Sequence, residues 1–166
     1  FEPEVVYGYF KCHNKDGKLS VENPHGDDVS FDFPRSTKPE HLCLTDYFGD
    51  DDVVAFQAVT VGNKVADIIE QWNKEDKYTD AYYLHGLAVE VAEGLAEWIN
   101  RKIKSELKLD AGGLRYSWGF PSCPDVLQHQ LVWKLLEPEK SGMEVTESGQ
   151  IIPEQSTAAI VVHHPK

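Results

Sequence analysis

Long apolar runs are missing from this sequence; none approaches the ~18 to 20 residues that a bilayer-spanning helix takes. No basic-then-apolar leader opens it. Its first residue is Phe1 rather than Met, so the expectation is that processing or excision removed what came before. Basic residues are few, 16 Lys and Arg against 28 Asp and Glu, for a net charge of -12. Nucleic acid is therefore not an expected partner, because phosphate binding needs clustered cations. The acidity keeps the chain soluble, and a small ligand that profits from the field is cationic. Cysteine is scarce: Cys12, Cys43 and Cys123 stand far apart with no C-x-x-C, which suggests neither a zinc ribbon nor a redox pair. Buried or half-buried thiols in a reducing cytosol are expected. There is no internal repeat, no low-complexity linker, no G-x-S-x-G and no P-loop. The absence of a G-x-G-x-x-G opening a helix after a strand argues against a Rossmann-type methyltransferase. His163 and His164 have no third ligand at useful spacing, and neighbours on a strand point to opposite faces, so no metal site is expected.

What is present suits one ordered domain over residues 1–166: 41% hydrophobic residues, with 4 Trp, 7 Tyr and 7 Phe. The first third reads as strands. Glu4 to Cys12 is rich in Val, Tyr and Phe, and Asn14-Lys15-Asp16-Gly17 signals a turn. A short strand is expected over Lys18 to Glu22, and Val29, Phe31 and Phe33 alternate with polar residues until Pro34. Val53 to Val61 is nearly all apolar, which predicts a central strand covered on both faces. Val65, Ile68, Ile69 and Trp72 form one helical stripe. A longer helix is expected from Thr79-Asp80, with Thr79 as N-cap, to about Leu107, its core face lined by Leu84, Ala88, Val91, Leu95, Trp98 and Ile103. Ala111-Gly112-Gly113 breaks the pattern. A third helix is expected after Pro124, opened by a capping box of Asp125 and Gln128 and stopped before Pro138. Strands return at Met143 to Thr146 and Thr157 to His163. The expected fold is α+β, a twisted, mostly antiparallel sheet with flanking helices.

Three places draw chemical interest. The segment Arg115 to Asp125 packs aromatics, Gly, Pro and an Arg into an expected loop. Either it is a tightly packed Ω-type loop, or it binds a ligand. In the second case Arg115 holds a carboxylate bidentately, Gly119 lets backbone come close, and Trp118 and Phe120 stack on a base. Asp46 stands among Leu42, Cys43, Leu44, Tyr47 and Phe48, so it needs a partner, whether a Lys, a backbone N–H or a ligand ammonium. Glu90, Glu93 and Glu97 form a stripe ending at Arg101, either a solvated face or a face toward a cation.

The run R-x-x-x-G-[YF]-P-x-C-P-[DE], here Arg115 to Asp125, resembles the signature of the activation domain of cobalamin-dependent methionine synthases. So does Val132 to Ser148, which contains W-K-L-L-E-P-E-K-S-G-M-E-V-T-E-S. V-V-Y-G-Y-F at Val5 to Phe10, F-P-R at Phe33 to Arg35, C-L-T-D-Y at Cys43 to Tyr47 and Ala55 to Val61 match in order, so the likeness covers nearly the whole chain. It implies a twisted antiparallel α/β domain that binds S-adenosylmethionine in a shallow site. It implies the role of that ligand too: methyl donor when oxidised cobalamin, bound by another domain of the same enzyme, is reductively remethylated. The electron comes from flavodoxin or a reductase flavoprotein. By the same likeness Asp46 holds the ligand's amino group, Arg115 its carboxylate, and Tyr116, Ser117, Gly119 and Phe120 belong to the loop around the nucleoside, with Glu93 an acid near the site. A cationic sulfonium suits carboxylates and aromatic faces. The implied setting is cytoplasmic and away from membranes, as a module not catalytic alone. A freestanding accessory protein docking on a separate corrinoid protein is the alternative.

Four departures stand out. Phe120 replaces a common Tyr, Asp110 is the nearest counterpart of a second acid, and Gly149 to Ala158 lacks the usual W-P-x-A-x-V pattern. The chain stops at Lys166, just after His164-Pro165, where the family continues to a ligand-contacting Tyr. The D-x-H-x-x-G signature of a cobalamin-binding domain is absent.

Overall fold

A computed structural model describes residues 1–109 and 112–162; Asp110, Ala111 and His163 to Lys166, with the expectations attached to them, lie outside it. The strands are β1 (Glu4–Lys15), β2 (Lys18–Val21), β3 (Val29–Phe31), β4 (Asp52–Thr60), β5 (Leu114–Ser117), β6 (Glu144–Val145), β7 (Ile151–Ile152) and β8 (Ser156–Val162). Six of them form one sheet in the order β3-β2-β1-β4-β8-β5, and every pairing in it is antiparallel. The other two make a small separate hairpin, whose second strand falls in the stretch that departs from the family pattern. The helices are α1 (Asn63–Lys74), α2 (Tyr78–Glu106) and α3 (His129–Leu136).

The first hairpin turns on Asp16 and Gly17, whose φ values of 53° and 82° are both positive. Two positive φ angles suit the right-handed twist of the strands it joins, and Gly accepts one at no steric cost. β4 is central as expected, with β1 on one side and β8 on the other. Its alternation sorts the two faces of the sheet. Val54, Phe56 and Ala58 point into one core with Phe10, Phe31, Trp118 and the α3 residues Val132, Trp133 and Leu135. Ala55, with Val161 of β8, points into another core with Ile99 and Ile103 of α2. Aromatic packing dominates the first: Phe31 stacks on Phe56 at 5.0 Å between centroids, and Trp118 on Phe56 at 6.2 Å. Burying one such ring contributes roughly 2 to 3 kcal/mol.

The sheet-facing side of α2 differs from the expectation. Its buried residues are Ala81, Ala88, Ala92, Ala96, Ile99, Asn100 and Ile103, while Trp98 is 58% exposed. The larger Leu84 and Val91 pack instead toward Val65 of α1. Small residues on the sheet side bring the helix backbone close enough for Gln57 of β4 to donate Nε2–H to the Ala96 carbonyl at 3.2 Å. The N-cap is Lys77, not Thr79, while Asp80 sits in the first turn as the helix dipole favours. In α1, Val65 is buried but Ile68 is 40% exposed, so the expected stripe is only partly covered.

Before α3, the Asp125 carboxylate accepts from the Leu127 N–H at 3.0 Å, the expected cap. Gln128 does not close a box. Its Oε1 accepts from the Trp118 indole at 3.2 Å and its Nε2 donates to the Asp32 carbonyl at 2.7 Å. The side chain is drawn inward because a buried indole N–H needs an acceptor. The three cysteines are free and buried. No helix among the described residues is long and apolar enough to cross a membrane.

Candidate functional site

Arg115, Tyr116 and Ser117 lie on the edge strand β5, not in the loop the sequence suggests. Pairing with β8 runs from Leu114–Val162 to Ser117–Ala159. Strand alternation then sends neighbours to opposite faces. Tyr116 packs against the aromatic core, and burial pushes its phenol pKa up, with Tyr47 and Cys123 adding to the effect. Arg115 and Ser117 point toward α2. There Arg115 Nη2 donates to Glu93 at 2.7 Å and Nη1 to the Ser117 hydroxyl at 3.3 Å. The Arg115 side chain is only 17% exposed, and that of Glu93 46%. Glu90 is exposed, while Glu97 pairs with Arg101 at 3.3 Å, so the acidic stripe divides between a solvated part and the Arg115 partner.

The chain turns sharply after β5. Gly119 N–H donates to the Cys123 carbonyl at 3.0 Å, and Cys123 N–H to the Phe120 carbonyl at 2.9 Å. Gly119 has φ +92°, a strained value for any residue with a Cβ, which is why glycine stands there. The thiol of Cys123 donates to the Ser117 carbonyl at 2.9 Å, tying the turn to the strand. Phe120 is thrown outward, 64% exposed, and is available for stacking. Trp118 is not; it is 6% exposed and part of the core, so the expectation that it stacks on a base is wrong. At the sequence level both read as loop aromatics. What separates them is the turn after β5, which leaves Trp118 in the core and throws Phe120 outward.

Asp46 sits in a 3-10 turn, Leu44–Tyr47, that packs through Cys43, Leu44 and Phe48 into the aromatic core. The side chain is 21% exposed and takes two kinds of partner. Arg35 donates Nη1–H to Oδ2 at 2.8 Å and Nη2–H to Oδ1 at 3.1 Å, a bidentate pair. The Cys43 backbone N–H donates to Oδ2 at 2.9 Å. The Arg35 guanidinium holds the carboxyl below the ordinary carboxylate range, against an opposing effect of partial burial. Sequence reasoning missed Arg35 as the partner, although it stands in the F-P-R motif; eleven residues of separation hide such a pair.

The sheet register gathers these pieces. Ala55 near the start of β4 lies opposite Val161 near the end of β8, and Val162 lies opposite Leu114 at the start of β5. The turn carrying Asp46 leads into that end of β4, and Tyr47 is close enough to Tyr116 to influence its phenol. Between residues 34–47 and 121–124 lies a cleft of about 710 Å³, bordered by Arg35, Lys38, Leu42, Tyr47, Pro121 and Ser122. A larger hollow of about 840 Å³ lies beside α3; neither lining includes an expected site residue, but the cleft is bordered by Arg35, the partner of Asp46, and by the neighbours of Asp46 and Phe120. Volume alone would favour the hollow; adjacency to Asp46 and Phe120 favours the cleft.

Such a domain is an antiparallel α+β unit with helices on its sheet and an open edge at β5. The whole chain, residues 1–166, matches the family described as vitamin B12 dependent methionine synthase, activation domain, and belongs to it. It is 32% identical to the methionine synthases of Mycobacterium leprae and Mycobacterium tuberculosis, over 97% and 98% of this chain. It spans 16% of the length of each. A crystal structure of a MetH reactivation domain bound to AdoHcy superposes with a TM-score of 0.85 over 99% of this chain and 59% of that one, at 20% identity, a shared fold.

Proposed function

We propose that this chain binds S-adenosylmethionine and presents it as the methyl donor for remethylating oxidised cobalamin carried by another domain of a methionine synthase. The reading is supported by an acid, Asp46, in the turn that leads into the start of β4, by a cation, Arg115, on the edge strand in the row of Val161 and Ala55, and by an outward Phe120 with a cleft beside it. A zwitterionic amino acid needs one anion and one cation. Asp46 suits the ammonium and Arg115 the carboxylate. Tyr116, Ser117, Gly119 and Phe120 wall the site, and Glu93 is the acid near it, paired with Arg115. The two poles approach β5 from opposite faces, so the ligand crosses the free edge of that strand. The solved relative bound to AdoHcy supports a ligand of this class.

The chain's part in the chemistry is to hold and orient. The sulfonium supplies the methyl group and leaves as the thioether of S-adenosylhomocysteine. Fixing the amino-acid end and the nucleoside restrains the sulfur between them. Reduction of the corrinoid by flavodoxin or a reductase flavoprotein, in the cytoplasm, completes the proposed setting.

Calorimetric titration tests the assignment. Asp46→Asn keeps shape and removes charge, so S-adenosylhomocysteine should bind more weakly by ~1.5 to 3 kcal/mol, the scale of a charge-assisted bond. Methylthioadenosine lacks the amino-acid end and should be indifferent. Equal loss for both ligands would assign Asp46 to the fold instead.

A further inference from the structure

Both charged poles of the proposed site are already occupied, each by a side chain of the sign the ligand would bring. A guanidinium, Arg35, stands on Asp46 where an ammonium would go, at 2.8 Å. A carboxylate, Glu93, stands on Arg115 where a carboxylate would go, at 2.7 Å. Resting on the reading above, we propose that Arg35 and Glu93 are internal counter-ions that the zwitterionic end of the ligand displaces, so that binding is an exchange of both ion pairs.

Burial supports the direction of the exchange. The members that would stay are the sheltered ones, with side chains 21% exposed for Asp46 and 17% for Arg115. The members that would leave are the exposed ones, 53% for Arg35 and 46% for Glu93. A sheltered charge left alone is costly, whereas an exposed one swings into water at little cost. The empty site therefore keeps its poles neutralised and in position, and the departing side chains recover their hydration. Arg35 has a further hold, donating Nη1–H to the His41 carbonyl at 2.9 Å, so it need not leave its segment when it releases Asp46.

Selectivity follows from the same arrangement. A neutral nucleoside displaces neither counter-ion. A ligand with an amine alone, or a carboxylate alone, opens one pair and leaves the other closed. Only a zwitterion opens both. Because each ligand ion pair replaces an internal one of the same type, added salt weakens both sides of the exchange and its net effect is small.

The test titrates the chain and its Glu93→Gln and Arg35→Gln variants with S-adenosylhomocysteine and with methylthioadenosine. The first ligand lacks the sulfonium charge, so loss of a nearby acid does not act on the sulfur. Removing a competing exposed ion pair should tighten S-adenosylhomocysteine binding by about threefold to fivefold in each variant. Methylthioadenosine affinity should not move, and melting temperatures should stay close to that of the parent. The exchange stands only if both variants tighten; unchanged or weakened binding in either overturns it, and weakening would make that side chain a ligand contact. Asp46→Asn and Arg115→Ala serve as controls. If they weaken binding while the counter-ion variants fail to tighten it, the site is right and the exchange is wrong. If they leave binding intact, the site reading fails and the exchange with it.

Discussion

The two faces of the six-stranded sheet are built from different chemistry. Under α3 lie rings and branched aliphatics, with Phe31, Phe56 and Ile160 fully buried. Under α2 lie alanines, a buried Gln57, and Asn100 on the helix, flanked by charged Glu93 and Arg115. The Oε1 of Gln57 and the Oδ1 of Asn100 have no protein partner. The aromatic face has an unpaired buried polar atom of its own, the indole N–H of Trp133, so the faces differ in packing rather than in polar satisfaction. One face supplies packing energy. The other sits close to backbone, keeps polar groups, and leads to the edge where the proposed ligand site lies.

That division can be broken from either side. Phe56→Ala should destabilise the chain by ~3 to 5 kcal/mol, the range for deleting a large buried ring. Chemical denaturation would show it as a lowered midpoint, and any folded fraction should still bind ligand. Arg115→Ala should do the reverse. Its loss should weaken S-adenosylhomocysteine binding by ~1.5 to 3 kcal/mol with little change in melting temperature. A large fall in stability with unchanged affinity would make Arg115 a structural anchor of Glu93 and erase the proposed difference between the faces.

The aromatic face was largely legible in the sequence, and the helix face was not. Alternation of Val29, Phe31 and Phe33, and the apolar run from Val53, announce residues that must be buried on a strand. The α2 face is hidden because the large side chains, not the small ones, carry the helical stripe in the sequence. Helix-to-sheet contact here is made by alanines, which carry little hydrophobic signal, while Trp98 is left outside. At the site, the residue types were legible from the Arg115 to Asp125 and Cys43 to Tyr47 motifs. Glu93 was legible as an acid near the site, but the pairings Asp46–Arg35 and Arg115–Glu93 were not, because ion pairs across 11 and 22 residues depend on how separate elements meet. The strand character of Leu114–Ser117 was hidden by the glycines before it and the prolines after it.

A smaller effect belongs to the aromatic face and pH. His129 is buried against Trp118, with ring centroids 5.5 Å apart, and its Nδ1 lies 2.7 Å from the Gly149 carbonyl. Burial pushes its pKa down, against an opposing effect of that carbonyl. Between the folded value and the ordinary ~6.5, the unfolded chain binds more protons than the folded one. Stability therefore rises with pH through this window and falls as pH drops below ~6.5. Asp46, held low by Arg35, acts in a separate window, losing its contribution only below ~4. Melting temperatures from pH 7.5 down to about 5.5 should decline in the parent chain. In His129→Gln that decline should flatten. An identical slope in both would mean His129 is not the group responsible.

The smallest expected change sits at the tip of the turn. Phe120 is 64% exposed and stands where the family commonly has Tyr. Phe120→Tyr adds one hydroxyl to a ring already in water, so no packing is disturbed and no polar group is buried without a partner. Stability should stay within ~0.5 kcal/mol, the usual range for surface changes. If the ring stacks on the nucleoside, its new hydroxyl lies at the ligand's border and can donate to a ribose or base acceptor. A neutral hydrogen bond contributes ~0.5 to 1.5 kcal/mol, which corresponds to about twofold to tenfold tighter binding. Methylthioadenosine should show the same gain as S-adenosylhomocysteine, because the contact is with the part they share. That pattern is the inverse of the one expected for Asp46→Asn, which separates the two ligands. A gain confined to S-adenosylhomocysteine would place Phe120 beside the amino-acid end and reverse the orientation proposed along β5. No gain with either ligand would leave the outward ring of Phe120 outside the site, and the nucleoside would then rest on the cleft between residues 34–47 and 121–124.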